Sequence, residues 1–414
     1  MEVGMRDALI CGAVRTAVGG LGGALRPVTA EEMAGRVISD IMARFSLDGA
    51  DIDEVIFGHC YPNGENPAIG RLASLRAGLP VEVPGFQLDR RCGSGLQAVC
   101  LAAMEVQTGV ADLVLAGGVE SMSNAEFYTL DMRWGKRGHV TLYDRLDRGR
   151  VTAGGPRYPV EGGMLETAEN LRRQYAIPRE EQDEYALRSH QRAVAAWNDG
   201  RFQDHIVPIP VPQRRGDDLV FERDEHPRAD TTIEALARLN PVRRNQDPEA
   251  TVTAGNASGE NDAAAVCVVA SPEAAVRHGL QPLAIFRGWA AAGVHPAFMG
   301  IGPVPATKKV LDRLELSLGQ MDLIALNEAF AAQVLAVTRE WQFTNSDFDR
   351  LNVNGSGISI GHPVGATGVR ILADLLPEME RRNARYALET MCIGGGQGIA
   401  AVFERPSAHS ASGA

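Results

Sequence analysis

Short, wholly apolar runs alternate along most of the chain with longer stretches that have the spacing of amphipathic helices. Residues 112–118 and 386–394 are such apolar runs, and both end in glycine. A continuous apolar run of this length is typical of a strand that is buried on both faces. The regions 31–45 and 306–314 have the pattern of helices. The alternation therefore predicts a layered α/β fold in which helices cover both faces of the sheets.

The same succession of elements occurs twice. A helix-like run precedes an apolar strand at 53–58 in the first half and at 321–326 in the second. Further along each half a Gly-rich turn opens a helix, and these turns contain Cys92 and His362 respectively. Two halves of the same architecture, related by a pseudo-twofold axis, would bring the two turns together. The repeat therefore predicts one site that is shared by Cys92 and His362.

Between about residues 121 and 250 the pattern changes. This stretch is rich in Arg, Glu, Asp and Pro, and it has one long helix-like run from near Pro178 to about Asn198, since proline suits the first helical position. We interpret it as a domain inserted between a strand at 112–118 and a strand at 263–270. The expected organisation is an N-terminal half over 1–275, interrupted at about 121–250, a C-terminal half over 276–406 and a flexible tail over 407–414.

Length and charge narrow the classes of protein. With 414 residues, the chain exceeds the size of one ordinary hydrophobic core. Its net charge of −11 does not suggest a nucleic-acid surface. No apolar run approaches the roughly 20 residues that span a bilayer, and residues 1–15 lack the succession of a signal peptide. We therefore expect a cytoplasmic protein without a membrane span.

The six cysteines show no framework spacing, so we expect reduced thiols, and no spacing of Cys and His suits a metal. Cys92 has the most distinctive setting, within Asp89-Arg90-Arg91-Cys92-Gly93-Ser94-Gly95 and before a helix-like run over 96–106. A helix N-terminus favours an anion, which predicts a nucleophilic thiol of lowered pKa. The alternative is a buried cysteine that fills space at a turn.

Two further Gly-rich segments favour chemistry over space-filling. One is Gly361-His362-Pro363-Val364-Gly365-Ala366-Thr367-Gly368, and the other is Met391-Cys392-Ile393-Gly394-Gly395-Gly396. A thiol, an imidazole and a second thiol on three such turns supply a nucleophile, its activating partner and a proton-transfer group. Each turn alone is weak evidence, but the combination is specific.

With Asn327-Glu328-Ala329-Phe330 between these turns, the chain resembles the thiolase family, the acetyl-CoA C-acyltransferases. The resemblance runs from Arg15-Thr16 to Gly398 and includes the segments 118–123, 253–259 and 299–303. It implies the thiolase fold, in which two duplicated βαβαβαββ halves pack as a five-layered α-β-α-β-α structure with an inserted loop domain. It also implies a homodimer or homotetramer.

The resemblance implies reversible thiolytic cleavage of 3-oxoacyl-CoA by CoA, with Claisen condensation as the reverse reaction. The mechanism would be ping-pong, through an acyl group on Cys92. His362 would activate Cys92 and contribute to an oxyanion hole, and Cys392 would be the general acid and base. Asn327 would hold a water in that hole, and the N–H of Gly394 would pair with that of Cys92 in a second one.

Coenzyme A is implied as a substrate, so no cofactor is needed. Arg228 matches the position of a nucleotide contact, although a solvated surface arginine is an equal alternative. Five further residues match positions along the pantetheine tunnel or the acyl pocket: Ser258, Met299, Ala329, Phe330 and Met164. For Met299 and Phe330, a role in the hydrophobic core is the alternative.

Four positions depart from the family pattern. Asp89 replaces a usual Asn, and its carboxylate would oppose thiolate formation unless it is paired with Arg90 or Arg91. Ser356 replaces a usual Gly, and Arg243 lies near a usual aromatic residue. Gly163 stands where short-chain biosynthetic members have His. This difference favours a larger 3-oxoacyl-CoA as the substrate.

Three other functions are compatible with parts of the pattern. A short-chain biosynthetic acetoacetyl-CoA thiolase would use the same residues. A decarboxylating ketosynthase shares the duplicated fold, but its cysteine is served by two His or by His and Asn rather than by His and a second Cys. A non-catalytic acyl-CoA or lipid-binding relative would need none of the four residues Cys92, His362, Cys392 and Asn327.

Overall fold

The computed structural model describes residues 5–406, and the tail predicted at 407–414 lies outside the described residues. The strands are β1 (Leu9–Thr16), β2 (Gly19–Gly20), β3 (Glu54–Gly58), β4 (Gly85–Leu88), β5 (Leu113–Ser121), β6 (Phe127–Tyr128), β7 (Tyr143–Asp144), β8 (Ile206–Val207), β9 (Ile209–Val211), β10 (Leu219–Phe221), β11 (Asn261–Ala270), β12 (Ala284–Gly293), β13 (Leu323–Leu326), β14 (Tyr386–Ile393) and β15 (Gln397–Glu404). The helices are α1 (Ala30–Arg44), α2 (Ile69–Arg76), α3 (Ser94–Thr108), α4 (Arg145–Thr152), α5 (Gly163–Gln174), α6 (Arg179–Asn198), α7 (Ile233–Ala237), α8 (Pro272–Arg277), α9 (Pro303–Leu314), α10 (Ala331–Glu340) and α11 (Thr367–Arg381). Within residues 5–406, none of these helices combines the length and the apolarity needed to cross a bilayer.

The main strands form one hydrogen-bonded path in the order β13-β14-β15-β12-β1-β11-β5-β3-β4. The halves join where β1 meets β12, and this antiparallel contact has only two residue pairs, Leu9 with Ile285 and Ile10 with Ala284. Within each half the sheet is mixed, since β3 runs parallel to β4 and β5 whereas β11 is antiparallel to β5. The two half-sheets are thus continuous but only narrowly connected.

Three hydrophobic cores separate the layers. One lies between α1, α2 and the N-terminal half-sheet, and a second surrounds α3 and α11 between the two half-sheets. The third lies between the C-terminal half-sheet, α9 and α10. The order is therefore helices, sheet, helices, sheet, helices, and the predicted five-layered thiolase fold is confirmed.

The βαβαβαββ succession is complete in the first half, as β1-α1-β3-α2-β4-α3-β5-β11. In the second half the third strand is reduced to an isolated parallel bridge between Ile324 and Leu351. The reason is local, because Asn352 has a φ of 46° and Gly355 a φ of 79°. Left-handed residues so close together interrupt an extended strand.

The segment between β5 and β11 packs into both halves rather than standing apart. Trp197 of α6 and Phe202 belong to the N-terminal core, and β8 pairs with β1 through Ile206 and Arg15. Leu171 of α5 and Tyr185 of α6 lie in the core that α10 also lines. The inserted segment therefore covers the ends of both half-sheets.

A buried cluster of charges joins the three parts of the chain. Arg15 of β1 donates to Asp224 of the inserted segment at 2.8 Å and to Asp374 of α11 at 2.9 Å. Arg370 and His205 approach the same Asp374 carboxylate at 3.2 and 2.9 Å. The cluster pairs each buried ion with an opposite charge, as a buried charge requires.

Glycines allow the two central helices to meet at their N-termini. A Cβ atom at Gly368 of α11 would overlap the backbone nitrogen of Leu96 in α3. A Cβ atom at Gly118 of β5 would likewise overlap the carbonyl oxygen of Gly365. This contact of backbone with backbone brings the turn before α3 next to the turn before α11.

Candidate active site

One cavity of about 490 Å³ lies where the two central helices begin. Residues from the first half, the second half and the inserted segment line it. Eight of the residues selected from the sequence are among them: Cys92, His362, Gly394, Ser258, Met299, Ala329, Phe330 and Met164. The pseudo-twofold argument therefore placed Cys92 and His362 correctly at a common site.

Cys92 lies in a single 3-10 turn, Arg91–Gly93, directly before α3. Burial raises the pKa of its thiol, and hydrogen bonds from the N–H groups of Gly394 and of Cys92 itself only partly oppose this effect. The expectation of a lowered pKa is therefore wrong, because the loss of water around the sulfur outweighs the backbone dipoles. The N–H groups are nevertheless placed to receive negative charge.

Asp89 is paired, as its position near the nucleophile requires. Its Oδ1 atom accepts the N–H of Arg91 at 2.7 Å, and its Oδ2 atom lies 3.6 Å from the Arg91 guanidinium. Arg90, the other partner considered, instead donates to Gln397 at 3.0 Å. For the pKa of Cys92, burial has the largest effect, followed by the backbone hydrogen bonds of Gly394 and Cys92, then the lowering effect of Arg91, and last the raising effect of Asp89. Arg91 thus offsets the departure at position 89.

His362 is buried, and its two ring nitrogens have different partners. Nδ1 lies 2.7 Å from the hydroxyl of Thr367, which itself donates to the Pro363 carbonyl at 2.9 Å. Because a hydroxyl has one proton, Thr367 accepts from Nδ1–H, and Nε2 is left as the basic nitrogen. Burial, followed by the charges of Arg370 and Arg150, lowers the pKa of His362 to about 3. The imidazole is therefore neutral and its Nε2 faces the site as a base.

Residues of the first half hold the turn that carries His362. The side-chain oxygen of Asn261 accepts the N–H of His362 at 2.8 Å. Glu120 accepts the N–H of Gly365 at 2.9 Å and also those of Cys60 and Tyr61, both at 3.1 Å. The bonds of Asn261 to His362 and of Glu120 to Gly365 cross between the halves, so they fix the His362 turn relative to the first half.

Asn327 follows β13 and is fully buried. Its side-chain nitrogen lies 3.4 Å from Nε2 of His362, and its side-chain oxygen has no hydrogen-bond partner within residues 5–406. The neighbouring Glu328 anchors this loop, since it accepts from Ser189 at 2.6 Å and from Tyr185 at 2.9 Å. A buried polar atom without a partner is a place for a water or a substrate group.

Cys392 is the penultimate residue of β14 and is fully buried. It packs in an apolar cluster with Met299, Ala329 and Phe330. Burial, and then the proximity of Cys92, raise the pKa of Cys392 well above its usual value. The structure therefore presents a second, protonated thiol beside the first.

Asn327 and Cys392 contact residues of the lining without lining the cavity themselves, whereas Arg228 and Ser356 lie farther away. Arg228 borders a separate surface hollow of about 220 Å³, and its N–H donates to Nδ1 of His190 at 3.3 Å. Its contact with a nucleotide stays a prediction. The Ser356 hydroxyl lies 3.5 Å from the Arg370 guanidinium. The serine that replaces the usual glycine therefore contacts the buried charge cluster and not the cavity.

Several residues of the site were not predicted from the sequence as parts of the cavity wall. Thr367 and Arg91 lay within the quoted turns, and adjacency to His362 and Cys92 was the available signal. Tyr61 and Arg150 also line the cavity, but no local pattern marks them. Their positions depend on how the inserted segment folds over the two halves.

Comparisons with known proteins agree with this arrangement. The thiolase N-terminal domain matches residues 8–273, and the thiolase C-terminal domain matches residues 280–405. An acetyl-CoA acetyltransferase of Pseudomonas aeruginosa is 47% identical, over 97% of this chain and 100% of that protein. The beta-ketothiolase BktB of Cupriavidus necator is 44% identical, over 97% of this chain and 99% of that protein.

Solved structures give the same result. The crystal structure of the Bacillus anthracis acetyl-CoA acetyltransferase has a TM-score of 0.91 at 45% identity, covering 97% of this chain and 100% of that one. The crystal structure of human mitochondrial 3-ketoacyl-CoA thiolase has a TM-score of 0.90 at 38% identity, covering 97% and 99%. Together, the two domain matches and the full-length relatives show that this chain belongs to the thiolase family of acyltransferases.

Proposed function

We propose that this thiolase cleaves 3-oxoacyl-CoA with CoA by a ping-pong mechanism, through an acyl group on Cys92. The observation that carries the proposal is that Cys92 and a neutral His362 line one cavity, while the Cys392 thiol packs against residues of its wall. In the first step His362 takes the proton of Cys92 on Nε2, and the thiolate attacks the 3-oxo carbon. The N–H groups of Cys92 and Gly394 stabilise the oxyanion that forms.

Carbon–carbon cleavage then leaves the acyl group on Cys92 and releases the enolate of acetyl-CoA. Cys392 donates its proton to the enolate carbon and becomes a thiolate. The enolate oxygen lies against Nε2–H of His362 and a water held by Asn327. This role suits the side-chain oxygen of Asn327, which has no partner within residues 5–406.

In the second half-reaction CoA attacks the acyl group on Cys92. Cys392 recovers its proton from the CoA thiol, and Cys92 leaves as a thiolate that is reprotonated by His362. All protons are then back on their original atoms. The same steps in reverse give Claisen condensation of two acyl-CoA molecules.

Coenzyme A occupies the side of the cavity lined by Ser258, Met299, Ala329, Phe330 and Met164. Arg228 remains the proposed nucleotide contact. Arg243 lies at the rim and is 2.9 Å from Glu166, so a cation is available where phosphates would enter. No resident cofactor or metal is part of this proposal.

The partner proposed besides acyl-CoA is a second copy of the chain, in a dimer or tetramer. The loop joining β6 and β7 exposes large apolar side chains, including Leu130 at 76% and Trp134 at 92%. Such exposure is typical of an interaction surface. An active 44 kDa monomer in light scattering would contradict the proposal.

A cytoplasmic location is also proposed, because all six cysteines are unpaired.

The decisive test is acyl transfer to Cys92 itself. Incubation with acetyl-CoA should add one acetyl group, and peptide mass spectrometry should place it on Cys92. The Cys92→Ala variant should fold but lack the adduct, thiolysis and condensation. An unlabelled wild-type protein that still binds acetyl-CoA would instead indicate a non-catalytic binder.

A further inference from the structure

Part of the cavity wall has polar side chains that the proposed mechanism does not use. Tyr61, Arg91 and Arg150 lie there, close to the apolar residues Met122 and Val364. This wall belongs to a different apolar cluster from the one that contains Cys392, Met299 and Phe330. If CoA lies along the Cys392 wall, an acyl group on Cys92 extends toward the wall with the arginines.

The two arginines differ in how fully they are paired. Arg150 forms an ion pair with Glu260 and lies 3.7 Å from Asp147. Arg91 has only the 3.6 Å contact with Asp89 and one 3.4 Å hydrogen bond to the Cys60 carbonyl. Its side chain is 34% exposed. Arg91 therefore has donors free to bind a ligand in the cavity.

Tyr61 supplies a second donor at the same place. A Cβ atom added to Gly149 would lie 3.5 Å from the Tyr61 ring and 3.9 Å from Nη1 of Arg91. The two side chains therefore border one gap, which Gly149 leaves open. Burial raises the pKa of the Tyr61 phenol. It is thus a neutral hydrogen-bond donor.

We propose that the preferred acyl group ends in a carboxylate, which binds the Arg91 guanidinium and the Tyr61 hydroxyl. The substrate class is then the 3-oxoacyl-CoA derivatives of dicarboxylic acids, a refinement that rests on the proposed thiolase function. Guanidinium and carboxylate form strong, charge-assisted hydrogen bonds. An alkyl terminus in the same gap would leave both donors without water or partner. Of the other carboxylates in the wall, Glu260 and Asp147 face Arg150, and Glu161 is exposed at the rim.

The test compares two substrates of equal chain length. Thiolysis of 3-oxoadipyl-CoA and of 3-oxohexanoyl-CoA is measured with the full-length protein, and kcat/KM should favour the carboxylate-ended substrate by about tenfold or more. Equal values, or a preference for the alkyl end, would overturn this inference. Failure to cleave either substrate would instead count against the proposed function.

Variants then show whether Arg91 is responsible. Arg91→Leu should lower the ratio of the two kcat/KM values by about tenfold to a hundredfold, and Arg91→Lys should lower it less. The ratio is the useful quantity, because any effect on the Cys92 thiol is common to both substrates. Arg36→Leu, on the exposed face of α1, is the matched control and should leave the ratio unchanged.

Tyr61→Phe removes one oxygen atom and preserves the packing, so it keeps the inference testable if the Arg91 variants fold poorly. It should lower the same ratio several-fold. A wild-type ratio that persists in Tyr61→Phe and in the folded Arg91 variants would overturn the assignment.

Discussion

The Nδ1 atom of His362 lies 2.7 Å from the hydroxyl oxygen of Thr367, within one Gly-rich turn. Since Thr367 also donates to the Pro363 carbonyl, this contact selects the tautomer whose Nε2 is free to take a proton. Thr367→Val should lower kcat by about tenfold or more, because the imidazole loses its fixed tautomer. Thr367→Ser retains the hydroxyl and should retain most of the activity. Equal rates in all three proteins would show that another group orients the ring.

Cys392→Ala should separate the two half-reactions. Cys92 would still accept an acetyl group from acetyl-CoA, since its own activation depends on His362. Claisen condensation would fail, because no group would remain to remove the proton from carbon. Mass spectrometry with limiting acetyl-CoA and a condensation assay measure the two outcomes. Normal condensation by the variant would exclude Cys392 from proton transfer.

Asp89→Asn should make the nucleophile easier to ionise. Burial is the main reason for the raised pKa of Cys92, and the negative charge of Asp89 adds to it. Removing that charge lowers the pKa, so the midpoint of Cys92 alkylation by iodoacetamide should move to lower pH. The exposed Asp218→Asn is the control. An unchanged midpoint would mean that Arg91 fully offsets the Asp89 charge.

Asp224→Ala should be strongly destabilising. Asp224 accepts from Arg15, from the N–H of Val18 at 2.7 Å and from the Trp197 indole at 3.1 Å. Its loss leaves a buried cation short of a partner, which costs about 3–5 kcal/mol. Urea unfolding measures the change in the free energy of unfolding, with the exposed Asp217→Ala as a control. A loss below 1 kcal/mol would contradict the importance of the cluster.

Substrates longer than C4 should be cleaved with higher kcat/KM than acetoacetyl-CoA. Gly163 lines the cavity and brings no side chain into it, and with a φ of 59° and only 3.3 Å from a Cβ atom to Arg150 the position has no room for one. Three nearby side chains are large enough to reduce the pocket, and of these Met132 and Trp134 are exposed whereas Leu165 lines the cavity. Each additional buried methylene contributes about 0.8 kcal/mol. A preference for acetoacetyl-CoA over all longer substrates would show that the interpretation of Gly163 was wrong.

The sequence was sufficient for the parts of the fold and site that depend on local patterns. Buried strands have largely apolar runs, and the turns that contain Cys92, His362 and Cys392 are rich in glycine. The pKa of Cys92 was not predictable, because it depends on how much water the surrounding segments exclude. Tyr61 and Arg91 share a gap only because Gly149, far away in the chain, leaves it open.

The glycine contacts between α3 and α11 have a consequence for engineering this protein. Because Gly368 meets Leu96 and Gly118 meets Gly365 through backbone atoms, the spacing of the Cys92 and His362 turns has almost no tolerance for change. The wall formed by Tyr61 and Arg91 has no such constraint. Libraries for directed evolution of new substrates should therefore keep these glycines and vary Tyr61 freely, but should vary Arg91 separately, because its charge also affects the pKa of Cys92.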